Sequence, residues 1–217
     1  MPVCVLRENI LPKAQRHKAY IWSMKSLLLF ISMLIAFLAA AQVSNQLKDR
    51  EGNIYDLKAM PDNKLWTTDN LKINLPGSYC YDDLKSNCDR HGRLYTWEAA
   101  QQACKALGEG WRLPTSDEWQ QLAKHYGGVF GNSSDSGKAV YKALLQGGIS
   151  GFDAVLGGGR SSEGNYRRGD AHGFYWTATA NDSNTARFYN FGKGSGKLFL
   201  QPEGEKTEAF AVRCVKE

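Results

Sequence analysis

The sequence predicts an α+β domain in which two main helices pack on irregular, short antiparallel strands joined by long loops. Three observations carry this expectation. Two segments in the middle of the chain repeat apolar residues with helical spacing. Nine Gly then crowd into the 27 residues 147–173. So many Gly exclude a long helix, because each costs about 1 kcal/mol against Ala in a helix interior. Short alternating runs lie on both sides of these features.

Arg50-Glu51-Gly52-Asn53 is a turn between a flexible start and the alternating Ile54, Tyr55 and Leu57. Residues 64–68 read as a second strand, and Asp62-Asn63 turns the chain between the two, giving an opening hairpin. Residues 70–76 lead into a polar loop over 77–89. Thr96 is placed to cap the first helix, where Trp97, Ala100, Cys104 and Leu107 share one face and Gly108 ends the run. The second helix starts at Thr115-Ser116-Asp117-Glu118, a capping box preceded by Pro114. Its apolar face is Trp119, Leu122, Ala123 and Tyr126, and Gly127-Gly128 stops it. A shorter helix is expected over 138–146. The Gly-rich segment keeps Ile149, Phe152, Val155 and Leu156 as anchors, so it reads as irregular loop around short strands rather than as a linker. Strands are expected at 174–178, 187–191 and 197–201. A last one at 210–215 alternates Phe210, Val212 and Cys214 against Ala211, Arg213 and Val215. Residues 48–217 thus read as one domain.

The chain has 217 residues, 42% apolar, 23% charged and 12% aromatic, which excludes a disordered, collagenous or multi-span membrane protein. The net charge of +5 belongs mostly to a leader, residues 1–41. That leader holds five Lys/Arg and one acid, so without it the basic excess falls to one and no nucleic-acid footprint remains. Residues 27–41 are an uncharged apolar run of 15, short for a membrane span but suited to a signal-peptide core. Lys25 precedes the run and Ala39-Ala40-Ala41 offers a cleavage site. Met24 would begin a signal of normal length, and the mature chain would begin at Gln42. Export is therefore expected, to the periplasm, the outer surface or the medium, with no membrane span in the mature chain.

Apart from Cys4 in the leader, the Cys residues are Cys80, Cys88, Cys104 and Cys214. An even count after export favours two disulfides, with three pairings open. Nearness in sequence favours Cys80–Cys88, which leaves Cys104–Cys214 to tie the middle of the domain to its last strand. Closing that long loop is worth roughly 4–5 kcal/mol before strain. A zinc site from Cys80, Cys88, His91 and Cys104 lacks the short paired spacing of structural zinc, so no metal is expected.

Several of these segments form a series of ordered motifs: Asp49-Arg50-Glu51-Gly52-Asn53-Ile54-Tyr55, Leu65-Trp66-Thr67-Thr68-Asp69-Asn70-Leu71, Tyr79-Cys80-Tyr81-Asp82-Asp83 and Gly92-Arg93-Leu94-Tyr95-Thr96-Trp97. They continue in Gly110-Trp111-Arg112-Leu113-Pro114-Thr115, Tyr175-Trp176-Thr177-Ala178-Thr179 and Ala211-Val212-Arg213-Cys214. In this order they resemble the Fibrobacter succinogenes major paralogous domain, over nearly all of the mature chain. That resemblance implies an extracytoplasmic, disulfide-bearing domain of Fibrobacter or Bacteroidota type, suspected of surface attachment. No lipoprotein Cys follows the Ala triplet, in which this chain departs from many members. A looser resemblance joins Trp111-Arg112-Leu113-Pro114-Thr115 and Glu118-Trp119 to the formylglycine-generating, sulfatase-modifying family, and implies a C-type-lectin-like fold. The paired reactive Cys of that family are missing, since no Cys lies between Cys104 and Cys214.

The function expected is non-catalytic recognition or attachment at the cell surface, with a polysaccharide or an envelope protein as ligand. Two other readings stand beside it: a carbohydrate-active or degenerate sulfatase-modifying-type enzyme, and a structural envelope module. No catalytic residue is assigned. The expected contact residues are Arg160, Tyr166, Arg167, Tyr175 and Trp176, because rigid rings beside charged donors suit a sugar or protein surface. For Trp176 the competing role is core filling. Arg168-Gly169-Asp170 is an adhesion tripeptide that also arises by chance. Gln201-Pro202-Glu203 reads as a plain turn. Calcium would need six to eight oxygens, and Asp182, Asn184 and Glu203 are not brought together by sequence, so no cofactor is expected. Gly192-Lys193-Gly194-Ser195-Gly196 reads as a hairpin loop.

Overall fold

A computed structural model describes residues 45–217. The leader, with its expected signal segment, the start at Met24 and Cys4, lies outside the described residues. The chain opens with β1 (Gln46–Lys48), β2 (Ile54–Ala59) and β3 (Leu65–Thr67), an antiparallel meander. The flexible start expected before Arg50 is thus partly a strand, because Leu47 pairs with Tyr55 across the turn. Asp49 locks that turn: its carboxylate accepts from the amides of Glu51 and Asn53 and from the Tyr55 hydroxyl at 2.7 Å.

β4 (Ser78–Tyr79) precedes a tight turn at Tyr81–Asp83 and the helix α1 (Lys85–His91), and β5 (Leu94–Tyr95) then pairs back on β4. The polar loop expected at 77–89 therefore holds a helix. It has no apolar face to betray it, since Cys88 is its one buried residue. What holds it is the Cys80–Cys88 disulfide and a bond from Asn87 Nδ2 to the Tyr81 carbonyl at 2.8 Å.

Helices α2 (Trp97–Lys105) and α3 (Ser116–His125) lie where the apolar periodicity puts them. The capping box at Thr115 is complete, with Thr115 Oγ1 accepting from the Glu118 amide and the Glu118 carboxylate accepting from the Thr115 amide. Thr96 stands at the start of α2, but its side chain caps nothing. The fourth helix, α4 (Lys138–Leu144), is shorter than the 138–146 expected for it. The Gly-rich segment is irregular apart from a small hairpin, β6 (Gly159–Arg160) with β7 (Tyr166–Arg167).

β8 (His172–Ala180), β9 (Thr185–Gly192) and β10 (Lys197–Glu205) make an antiparallel sheet in the order β10-β9-β8. Gln201-Pro202-Glu203 is not a turn. It forms a bulge inside β10, where the register slips between Gln201 and Gly204 and the missing Pro amide is tolerated. The final strand, β11 (Val215–Lys216), returns to pair with β3, completing the order β1-β2-β3-β11. Four α-helices and these short antiparallel sheets make the described residues α+β.

The segment 210–215 runs between two apolar clusters. Phe210, Val212 and Cys214 pack into one with α2, Trp111 and Trp176. Ala211 and Val215 pack into the other with Trp66, Trp119, Phe152 and Tyr189. Both faces of the alternating run are therefore interior, and Arg213 is 1% exposed. Trp119 centres the second cluster, stacked on Tyr189 at 5.0 Å and edge-on to Trp66 and Phe152. Cys104–Cys214 links α2 to this central segment across a sequence separation of 110.

Candidate functional site

Two of the five expected contact residues are not at the surface. Tyr175 and Trp176 are both fully buried. The Trp176 indole donates to the Tyr95 carbonyl at 2.8 Å and packs on Phe210 at 4.4 Å between ring centres. The Tyr175 hydroxyl donates to the Val155 carbonyl at 2.9 Å. Both are core residues that hold the Gly-rich segment from below, and they leave the contact set. The period-two run that placed them on a strand did not reveal that β8 is covered on both faces.

The other three lie together on the β6–β7 hairpin. Arg160 and Tyr166 pair across it, and Arg167 pairs with Gly159. The Arg160 guanidinium lies 4.1 Å above the ring centre of Tyr79 and 5.8 Å from that of Tyr166. Tyr81 packs on Tyr166 at 5.3 Å. Asp83 accepts from the Tyr166 hydroxyl at 2.5 Å. Partial burial and this carboxylate push the Tyr166 phenol up to about 12. Arg167 is exposed and pairs with Glu208, whose carboxyl is raised because burial outweighs the neighbouring cation. Arg160 Nε is buried with no partner among the described residues.

The Cys80–Cys88 loop supplies the other half of this cluster, and sequence reasoning missed it. Tyr79, Tyr81 and Asp83 were visible as a motif, but nothing local marked them as partners of residues some 80 positions away. Gly explains how close the two halves come. A Cβ at Gly158, where φ is +68°, would sit 2.6 Å from Tyr81 Cε2, and one at Gly169 would sit 2.8 Å from Tyr81 Cζ. The Tyr81 hydroxyl accepts from the Gly169 amide at 3.2 Å. Asp170 pairs with Arg90 at 3.5 Å. The Arg168-Gly169-Asp170 tripeptide is thus pinned to the disulfide loop and α1.

Beside the C-terminal end of α1 lies a polar cleft of about 250 Å³, bordered by Asp69, Lys72, Arg90, His91, Asp153 and Arg213. Arg90 and His91 also border a wider depression with Val155, Leu156 and Lys193, so the two recesses meet at α1. Burial and the neighbouring Arg90 lower the His91 pKa, against a smaller opposing effect of Asp170, and its Nδ1 is buried without a partner. The cleft mixes three carboxylates, Asp56, Asp69 and Asp153, with three cations, Lys72, Arg90 and Arg213. Such a lining both donates to and accepts from hydroxyl groups without selecting a net charge.

Among the described residues, no three His, Cys, Asp or Glu side chains gather as a metal site. Asp182, weighed above for calcium, spends its carboxylate on the amides of Asn184 and Thr185 at 2.7 Å each. His172 bonds to Asn190 at 2.8 Å rather than to a nucleophile. No helix among the described residues is long and apolar enough to cross a membrane.

The fold and the site define an α+β domain with two disulfides and an aromatic–cationic hairpin clamped to a disulfide loop. The chain belongs to the Fibrobacter succinogenes major domain family, whose model matches residues 50–216. No curated protein and no solved structure matches the chain.

Proposed function

We propose that this chain is an exported, non-catalytic domain for recognition or attachment at the cell surface, with a C-type-lectin-like arrangement of residues 48–217. Its ligand is a polysaccharide or an envelope protein. The observation that carries this reading is the half-exposed cluster of Arg160, Tyr79, Tyr166 and Tyr81. Rigid rings offer flat apolar area at low entropy cost, and the guanidinium and carboxylate beside them serve hydroxyls or polar protein groups. The charge-balanced cleft beside α1 suits a neutral, hydroxyl-rich chain. Two disulfides are compatible with an oxidising compartment outside the cytoplasm.

A glycan array and an immobilised-polysaccharide pull-down test this reading. Binding lost in Tyr166→Ala and Arg160→Ala, with the circular dichroism spectrum unchanged, is the expected result. Glycan silence together with specific envelope proteins that co-purify with the wild type and not with Tyr166→Ala supports the protein ligand. Co-purification unaffected by these changes supports the structural module instead. Turnover of a carbohydrate substrate, abolished by changing one carboxylate, would replace recognition with catalysis.

A further inference from the structure

The two disulfides sit in opposite surroundings. Cys104 and Cys214 are fully buried, and the Cys104 sulfur faces the backbone carbonyl of Arg213 at 3.9 Å. Cys80 is half-exposed, and its partner Cys88 is 6% exposed. The Arg93 guanidinium rests on both sulfurs of this second bridge, with Nη1 3.5 Å from Cys80 Sγ and 3.6 Å from Cys88 Sγ. Ser78 fixes that cation in place: Arg93 Nε donates to Ser78 Oγ at 2.9 Å and Nη2 to the Ser78 carbonyl at 3.1 Å. Among the described residues, Arg93 pairs with no carboxylate, so its charge is not neutralised locally.

A fixed cation against sulfur stabilises a thiolate, and thiolates are both the attacking and the leaving species in thiol–disulfide exchange. We propose that Cys80–Cys88 is a thiol-exchange site, opened by a protein or small-molecule dithiol. One thiolate of the dithiol attacks the sulfur of the half-exposed Cys80. A bond forms between the two, the Cys80–Cys88 bond breaks, and the electron pair leaves on Cys88 Sγ beside Arg93. The second thiol of the reductant, once deprotonated, attacks its own sulfur in the mixed disulfide and releases Cys80, which takes up a proton. In sum the bridge gains two electrons and one proton, with Cys88 left as a thiolate beside Arg93, while the dithiol becomes a disulfide and gives up two protons, one to Cys80 and one to the solvent.

The event is placed to matter at the surface. The loop closed by this bridge carries Tyr81 and Asp83, which hold Gly169 and Tyr166. Opening it loosens one half of the hairpin cluster while the buried bridge keeps the core joined. The inference does not depend on what that cluster binds.

The test exposes the oxidised full chain to dithiothreitol under native conditions, traps free thiols with iodoacetamide and reads each Cys by peptide mass. Cys80 and Cys88 are expected to be trapped at least roughly tenfold faster than Cys104 and Cys214, which need a larger opening of the fold. Arg93→Gln is expected to slow the opening of Cys80–Cys88 by roughly tenfold, and Arg93→Lys to restore most of it. In the reduced protein, the pH midpoint for Cys88 alkylation should fall below the ordinary thiol value of about 8.5 and rise again in Arg93→Gln. Equal opening of the two bridges overturns the proposal. So does an Arg93→Gln protein with unchanged opening and an unchanged alkylation profile. Should Arg93→Gln fail to fold, Ser78→Ala, which removes one of the two bonds that hold the guanidinium, takes its place, with slower opening expected and unchanged opening again decisive against.

Discussion

Arg213 Nε donates to Asn70 Oδ1 at 2.7 Å in the interior, joining the final segment of the chain to the stretch that follows β3. The same guanidinium donates to the carbonyls of Phe152 and Asp153 at 2.8 Å each. Its hydrogen-bond partners are neutral oxygens, and burial draws its pKa downward. Three separate stretches thus meet on one side chain, which packs 4.9 Å from the ring centre of Phe152.

Removing that hub leaves several buried acceptors unpaired at once. Arg213→Met should lower stability by about 3 kcal/mol or more, and Asn70→Ala by roughly 1–2 kcal/mol. The double variant should lose less than the two losses added, since the partners are shared. Urea denaturation of the four proteins measures this cycle.

The acid limb of the stability curve should carry the signature of Glu118. Burial raises its pKa, but two bonds from Arg112 at 2.8 and 2.6 Å and one from the Thr115 amide at 2.8 Å outweigh it, leaving the carboxyl at about 2 against an ordinary 4.5. A depressed folded value stabilises the fold above the unfolded pKa. That contribution, on the order of 2–3 kcal/mol, drains away as pH falls from about 4.5 to 2. Glu118→Gln should be less stable at pH 7 and show a flatter melting temperature across that window.

The two bridges should differ in what they contribute to stability. By loop-closure entropy, replacing Cys104 and Cys214 by Ala should cost about 5 kcal/mol, and replacing Cys80 and Cys88 about 2.5 kcal/mol. Denaturant titration of the paired Ala variants gives both values.

Trp176 and Tyr166 should part company under substitution. Trp176→Ala empties a fully buried site and should cost about 3–5 kcal/mol. Tyr166→Ala removes a half-exposed ring and should cost about 1 kcal/mol. Thermal melting separates them, and of these two residues only Tyr166 should affect ligand binding once it is normalised to folded protein.

Where local chemistry decides, the sequence was enough. The face of α3 and its capping box follow from Thr115, Glu118, Trp119 and Leu122, all within a few residues of one another. The two disulfides join the Cys pairs that spacing favoured. Where a partner is remote, it was not enough. Helix α1 has no apolar stripe and depends on a covalent tie, so no periodicity announces it. Alternation in 210–215 cannot reveal that both faces are enclosed, because a second layer is a property of the whole fold. The hairpin was legible as Arg160, Tyr166 and Arg167, but its seat on Tyr79 and Tyr81 needed three dimensions.

The position of residues 210–215 has a consequence for how the molecule comes into being. A nascent chain that lacks its last eight residues has neither the divider between its two apolar clusters nor the anchor for Cys104. The two clusters can therefore close on each other only once residues 210–215 lie between them, which makes this segment the last piece that the packed core needs.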